Sequence, residues 1–220
     1  MAQATVHLLR HGEVFNPDQV LYGRLPEFHL SDRGVSMAFL VAEYFRALAE
    51  DGAVFSYLAA SPLTRAQETA QPSASALGLA LETDERLIEA GNHFEGARVN
   101  ATELVKPRYW KYLWNPLRPS WGEPYEAQLL RMRGAIETAR QTAVERGGDG
   151  AQAILVSHQL PIWVTHLSLQ GRRLFHDPRK RECSLASITA IDFDGAHVRG
   201  VRYSEPAAAL LPGAAATPGA

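Results

Sequence analysis

The chain has 220 residues, 46% of them hydrophobic and 21% charged, with a formal net charge of −2. That length suits one domain and allows roughly 70% of the unfolded surface to be buried. The charge balance excludes the basic footprint of a nucleic-acid or anionic-membrane binder, no apolar run approaches the roughly 20 residues of a membrane span, and the single Cys183 excludes an internal disulfide. No basic stretch followed by a long apolar one opens the chain, so the expectation is a cytoplasmic protein.

A first strand is predicted near residues 5–10, and Arg10-His11-Gly12-Glu13 follows it, with Asn16 close behind. Residues 31–50 read as a helix: Ser31 caps it, Ala38, Val41, Phe45 and Leu48 recur at helical spacing, and Gly52 ends it. A strand fits Val54 to Ala60. Ser61-Pro62 then reads as an N-cap and a first-turn proline, opening a helix that carries Arg65 and that Pro72 should break or kink.

Residues 92–124 are rich in aromatics and prolines and read as a cap insertion over the site. A long amphipathic helix follows over 124–146, with Tyr125, Leu129, Met132, Ile136, Ala139 and Ala143 on one face and Gly147-Gly148 at its end. A strand over Ala153–Val156 delivers Ser157-His158, a short helix fits 161–170, and two strands fit 185–193 and 197–203. Residues 206–220 are mostly Pro, Ala and Gly with little to anchor them and are expected to be a disordered tail beyond a domain of residues 1–205. Strands alternating with helices predict an α/β fold with a mostly parallel sheet. In such sheets ligands bind at the carboxyl ends of strands, where Arg10-His11 and His158 fall, with Arg65 in the turn after another strand.

Those groups suit phosphoryl transfer, which needs an in-line nucleophile, positive charge around the equatorial oxygens and an acid for the leaving oxygen. A neutral His11 imidazole has a lone pair for phosphorus, provided its other nitrogen holds the proton, for instance on a backbone carbonyl. Arg10 and Arg65 are the expected clamp, with His158 and Asn16 as further donors. Removing one such donor typically costs about 100-fold to 1,000-fold in rate. Glu89 is the candidate proton donor, with Glu85 as fallback. Neighbouring arginines are expected to keep Glu89 ionised until a phosphate dianion arrives and raises its pKa.

The motifs together resemble the histidine phosphatase superfamily, which includes the cofactor-dependent phosphoglycerate mutases. The resemblance covers about residues 5 to 200. It is carried by Arg10-His11-Gly12-Glu13, by Leu30-Ser31-Asp32-Arg33-Gly34, by the run Ser61 to Ala70, by Gly122-Glu123 and by Val156-Ser157-His158. It implies a three-layer α/β/α, phosphoglycerate mutase-like fold, with Arg10, His11, Arg65, Glu89 and His158 at the catalytic positions and no metal or other cofactor. Pro124 stands where the family usually has Ser, Gln159 where it has Gly, and the interval from Glu89 to Phe94-Glu95-Gly96 is about one residue short.

Tyr22, Gly23 and Arg24 follow the first motif and are expected to line the substrate site, Arg24 as a receptor for a second anionic group. Arg172, Arg173, Arg179, Lys180 and Arg181 read as a solvated loop. The leading expectation is a metal-independent phosphomonoesterase acting on a small phosphorylated substrate through a phosphohistidine. The alternatives are a phosphoglycerate mutase and a non-catalytic phosphate-binding module. The short interval 90–121 favours the phosphatase over the mutase. Neither nucleic acid nor membrane is expected as partner, and a homodimer is the default assembly.

Overall fold

The first strand, β1 (Gln3–Arg10), is buried along most of its length, and the sheet is built outward from it. A computed structural model describes residues 2–98, 121–177 and 180–214. β1 pairs in parallel with β4 (Ala151–Ser157) on one side and antiparallel with β5 (Ile188–Asp194) on the other. Beyond β4 come β2 (Phe55–Ala60) and the short β3 (Glu82–Thr83), both parallel; beyond β5 comes β6 (His197–Ser204), antiparallel to it. The order is β3-β2-β4-β1-β5-β6, a mostly parallel sheet as the sequence pattern predicts.

Alternate strand residues feed two separate cores, because successive side chains leave a strand on opposite faces. Val6, Leu8, Ala153 and Leu155 pack against α3 (Tyr125–Gly147) and α4 (Gln159–Leu169). Leu9, Leu58, Ile154 and Val156 pack against α1 (Asp32–Glu50) and α2 (Thr64–Leu77). The result is three layers, α/β/α.

α1 starts where expected: the Ser31 side chain accepts the Gly34 N–H, and Asp32 places a negative charge in the first turn. Its buried stripe of Met37, Ala38, Val41, Ala42 and Phe45 faces the sheet. α2 departs from expectation twice. Its N-cap is Leu63, whose side chain has no acceptor to offer, while the Ser61 hydroxyl two residues earlier accepts the Leu63 N–H at 3.4 Å and meets His158 Nε2. The helix also continues without a break past Pro72 to Leu77. Pro72 forfeits one backbone bond, but Ala66, Ala70 and Ala74 are buried in the core on the same face, and that burial holds the helix together across the gap.

The end of the chain needs a second correction. Residues 206–214 are not a loose tail: Ala208–Leu210 form a 3₁₀ turn, Ala207 is buried, and Leu210, Leu211 and Ala214 pack on the α1–α2 core. Composition suggested disorder, yet a few leucines and alanines suffice where an apolar surface already waits. Residues 215–220 lie outside the described residues, as do 99–120 of the expected cap with Tyr109, Trp110, Tyr112 and Trp114.

His7 sits on the α1 side of β1. Its Nε2 lies 2.7 Å from Gln152 Oε1, and its ring packs against Phe45 and Phe55. Burial pushes its pKa from 6.5 down to about 4. Between these values the unfolded chain binds the proton and the folded chain does not, so stability falls as pH drops through that window. Urea denaturation of His7→Leu should show this acid-side loss reduced by about 3 kcal/mol. An unchanged loss would mean that the folded imidazole already carries the proton.

Candidate active site

Three parallel strands end side by side. Ala60 of β2 pairs with Val156 of β4, and Arg10 of β1 pairs with Ser157 of β4. The residues that follow them, Ser61, His158 and His11, therefore emerge together at the carboxyl edge of the sheet. His158 also occupies the N-cap position of α4, and Arg65 the first turn of α2, so two positive helix ends face this edge. The rings of His11 and His158 are 5.1 Å apart, and both are fully buried. Nε2 of His158 shares a 2.8 Å hydrogen bond with the Ser61 hydroxyl.

His11 Nδ1 lies 2.8 Å from the carbonyl oxygen of Gly12. A carbonyl can only accept, so the proton resides on Nδ1 and the lone pair on Nε2. Nε2 is buried and makes no hydrogen bond among the described residues. Burial, reinforced by the charges of Arg65 and Arg10, pushes the His11 pKa well below the ordinary value. The ring is therefore held neutral, with the Nε2 lone pair free of a hydrogen bond among the described residues. Burial acts likewise on His158, helped by Arg65 and His11.

The segment carrying His11 is held from two sides. Its Gly12 N–H donates to Thr69 Oγ1 at 3.1 Å, and that hydroxyl donates to the Arg65 carbonyl at 2.7 Å, tying the segment to α2. Against α1 the backbones touch: a Cβ on Gly34 would lie 2.0 Å from the Glu13 carbonyl oxygen. Glu13 meanwhile receives the Ser31 hydroxyl on its carboxylate and the Ser31 N–H on its carbonyl, so it fastens the loop to the start of α1.

Arg65 is 1% exposed, although it is an arginine. Its Nη2 donates to the Gly23 carbonyl at 2.5 Å, and its guanidinium lies 4.7 Å over the Tyr22 ring. Tyr22 also stands edge-on to His11, with centroids 6.3 Å apart. Tyr22 and Gly23 are thus at the site, where they brace Arg65. Arg10 donates from Nη1 to the Cys183 carbonyl at 2.7 Å. Glu89 is buried, and its Oε1 accepts the Ala90 N–H at 2.7 Å. Burial raises its pKa, outweighing that hydrogen bond and the pull of Arg65, Arg131 and Arg181. This corrects the expectation that arginines keep Glu89 low until a dianion arrives: loss of water acts first. Glu85, the fallback acid, is exposed on a 3₁₀ turn.

Two expected substrate contacts are employed otherwise. Asn16 closes its own loop, donating to the Val20 carbonyl at 2.8 Å and accepting the Val20 N–H at 3.2 Å. Arg24 donates from Nε to the Glu89 carbonyl at 2.7 Å and from Nη2 to Glu123 at 2.9 Å, which leaves it poorly placed to receive a second anion. Conversely, Arg181 leaves the solvated loop expected of it. It is partly buried and donates to His176 Nε2 at 2.9 Å and to Gln159 Oε1 at 3.2 Å. Burial lowers its pKa, and Glu89 and Tyr125 are among the groups it senses. Arg172, Arg173 and Lys180 are exposed as expected, and Arg179 lies outside the described residues. Glu95, of the Phe94-Glu95-Gly96 phrase, accepts the N–H groups of Arg24 and Asn92 and so clasps the loop beside the site.

The family model of the histidine phosphatase superfamily (branch 1) matches residues 6–206, and the chain belongs to that family. "Uncharacterized protein Rv0525" of Mycobacterium tuberculosis is 50% identical over 208 residues, 94% of this chain and 98% of that protein. Among solved structures, the mycobacterial glucosyl-3-phosphoglycerate phosphatase Rv2419c superposes with a TM-score of 0.69 at 21% identity, over 92% of this chain and 96% of that one. A phosphoglycerate mutase from Bacillus anthracis superposes with a TM-score of 0.70 at 20% identity, over 95% and 96%. At these identities the two structures share the fold and say nothing more.

The Gly34 contact makes a direct test. A methyl group at position 34 must displace either α1 or the backbone of Glu13, so Gly34→Ala should lower stability by about 2–4 kcal/mol in urea denaturation. A loss below about 0.5 kcal/mol would mean that the two backbones are not in contact.

Proposed function

We propose that this histidine phosphatase superfamily member is a metal-independent phosphomonoesterase working through a phosphohistidine on His11. The observation that carries the reading is the His11 tautomer: its proton is held by Gly12, and Nε2 is bare, buried and flanked by guanidinium groups. In the first step the Nε2 lone pair attacks phosphorus, an N–P bond forms, and the bond from phosphorus to the ester oxygen breaks. Arg10, Arg65 and His158 donate to the equatorial oxygens, whose charge is stabilised best by fixed donors in a site without water. Glu89 gives its proton to the departing oxygen; burial supports this by keeping the carboxyl protonated at a higher pH than usual. In the second step the Glu89 carboxylate takes a proton from water, the water oxygen attacks phosphorus, and the N–P bond breaks to release inorganic phosphate and neutral His11.

The phosphatase is preferred to the mutase on one observation: Arg24, the cation expected to receive a second anionic group, is committed to Glu123 and to the Glu89 backbone. The short 90–121 interval, the other argument against a mutase, falls largely outside the described residues. A coupled mutase assay with and without 2,3-bisphosphoglycerate separates the two. A protein that binds phosphate but turns over nothing across a broad phosphoester panel would be the binding module.

With p-nitrophenyl phosphate and a chelator present, the wild type should release phosphate, and His11→Ala should lower kcat/KM by at least about 10,000-fold, with no acid-labile phosphoenzyme on rapid quench. Release that persists in His11→Ala would end the phosphohistidine reading. The second expectation concerns pH. The proton on Glu89 is lost as pH rises through its raised pKa, so kcat/KM of the wild type declines on the alkaline side. Glu89→Gln has no such proton to lose; its kcat/KM toward an alkyl phosphate should be about 100-fold to 10,000-fold lower and should lack that limb.

A further inference from the structure

We propose that Glu123 is a positioning residue that aims Glu89 at the leaving oxygen, an inference that rests on the role given to Glu89 above. Glu89 lies in a stretch without helix or strand, between the 3₁₀ turn Glu85–Leu87 and Gly91. No backbone ladder fixes it, yet proton transfer tolerates little misalignment. Two arginines grip this stretch instead. Arg131, from α3, donates through Nη1 to the Arg86 carbonyl at 2.6 Å. Arg24, from the loop after the His11 segment, donates through Nε to the Glu89 carbonyl at 2.7 Å.

Both guanidinium groups converge on one carboxylate. Glu123 accepts from Arg131 Nε and Nη2 at 3.0 Å each, and from Arg24 Nη2 at 2.9 Å. Its own N–H donates to the Gly91 carbonyl at 2.9 Å, and Gln128 Nε2 donates to its carbonyl at 2.8 Å. Gly122 permits this approach, since a Cβ there would lie 2.2 Å from the Gly91 carbonyl oxygen. The clamp therefore holds residues 86, 89 and 91 from one anchor. Only backbone groups of the Glu89 stretch are gripped, so the Glu89 carboxyl keeps its freedom to exchange a proton. The bonds described above for Arg10, Arg65 and His158 run to Cys183, Gly23 and Ser61, a separate set of anchors from Glu123. Disturbing Glu123 should accordingly weaken leaving-group protonation and spare phosphoryl binding.

The choice of leaving group reads this difference. p-Nitrophenolate departs with little help from an acid, whereas the alkoxide of glycerol 2-phosphate requires it. In Glu123→Gln, kcat/KM for glycerol 2-phosphate should fall about 100-fold, while that for p-nitrophenyl phosphate falls less than about 5-fold and inhibition by inorganic phosphate is unchanged. Arg24→Lys keeps the positive charge but loses the Nε bond to the Glu89 carbonyl; it should show the same split, and it carries the test if Glu123→Gln does not fold. Equal losses on both substrates, or no loss on either, in a folded variant would overturn the positioning role. A wild type that hydrolyses neither substrate, or a His11→Ala variant that still hydrolyses them, strikes the phosphatase reading itself and removes the inference with it.

Discussion

Attack on phosphorus by an imidazole requires that the ring be neutral and that one nitrogen hold the proton while the other keeps its lone pair free. Here both conditions come from the same few atoms. The carbonyl of Gly12 accepts a hydrogen bond from Nδ1–H and so keeps the proton there, and burial between Arg10 and Arg65 keeps a second proton off Nε2. The surrounding structure serves this arrangement: the Gly12 N–H on Thr69, the contact of Gly34 with the Glu13 backbone, and the bracing of Arg65 by Tyr22 and Gly23 all keep the ring and the guanidinium groups in place.

Burial also decides the competition at Glu89. Two influences of opposite sign meet there: guanidinium charges that favour the carboxylate, and exclusion of water that favours the carboxylic acid. Removal from water prevails, although three arginines oppose it. The same exclusion lowers the pKa of both site histidines, so one physical cause favours the neutral form of the imidazoles and of the Glu89 carboxyl alike.

Much of this was legible in the sequence. Among the described residues, five of the six strands, the four α-helices and the strand-end positions of His11 and His158 followed from periodicity and caps, since each is a local signal; the two-residue β3 carries no such signal. What escaped was set by distant contacts. Pro72 marks a break by local rules, but α2 continues because its alanines are buried against the sheet. The composition of 206–214 signals disorder, yet Ala207 and Leu210 meet an apolar surface supplied by α1 and α2. Arg24 and Arg181 look alike as loop arginines. Nothing in their neighbours along the chain indicates that one will bind Glu123 and the other turn inward to His176 and Gln159. Glu123 is 99 residues from Arg24 and Gln159 is 22 from Arg181, beyond the reach of any local pattern, and only His176, at 5, is near Arg181 along the chain.

The pairing of Arg10 with Ser157 has a wider consequence. His11 and His158 are the first residues past two strands that lie next to each other, and neighbouring strands sit about 4.8 Å apart. The two imidazoles, at 5.1 Å, thus inherit their separation from the hydrogen-bonded lattice of the backbone. Loops around the two histidines can lengthen or change character without altering that gauge, so the surroundings of the rings are able to diversify while the distance between them stays constant.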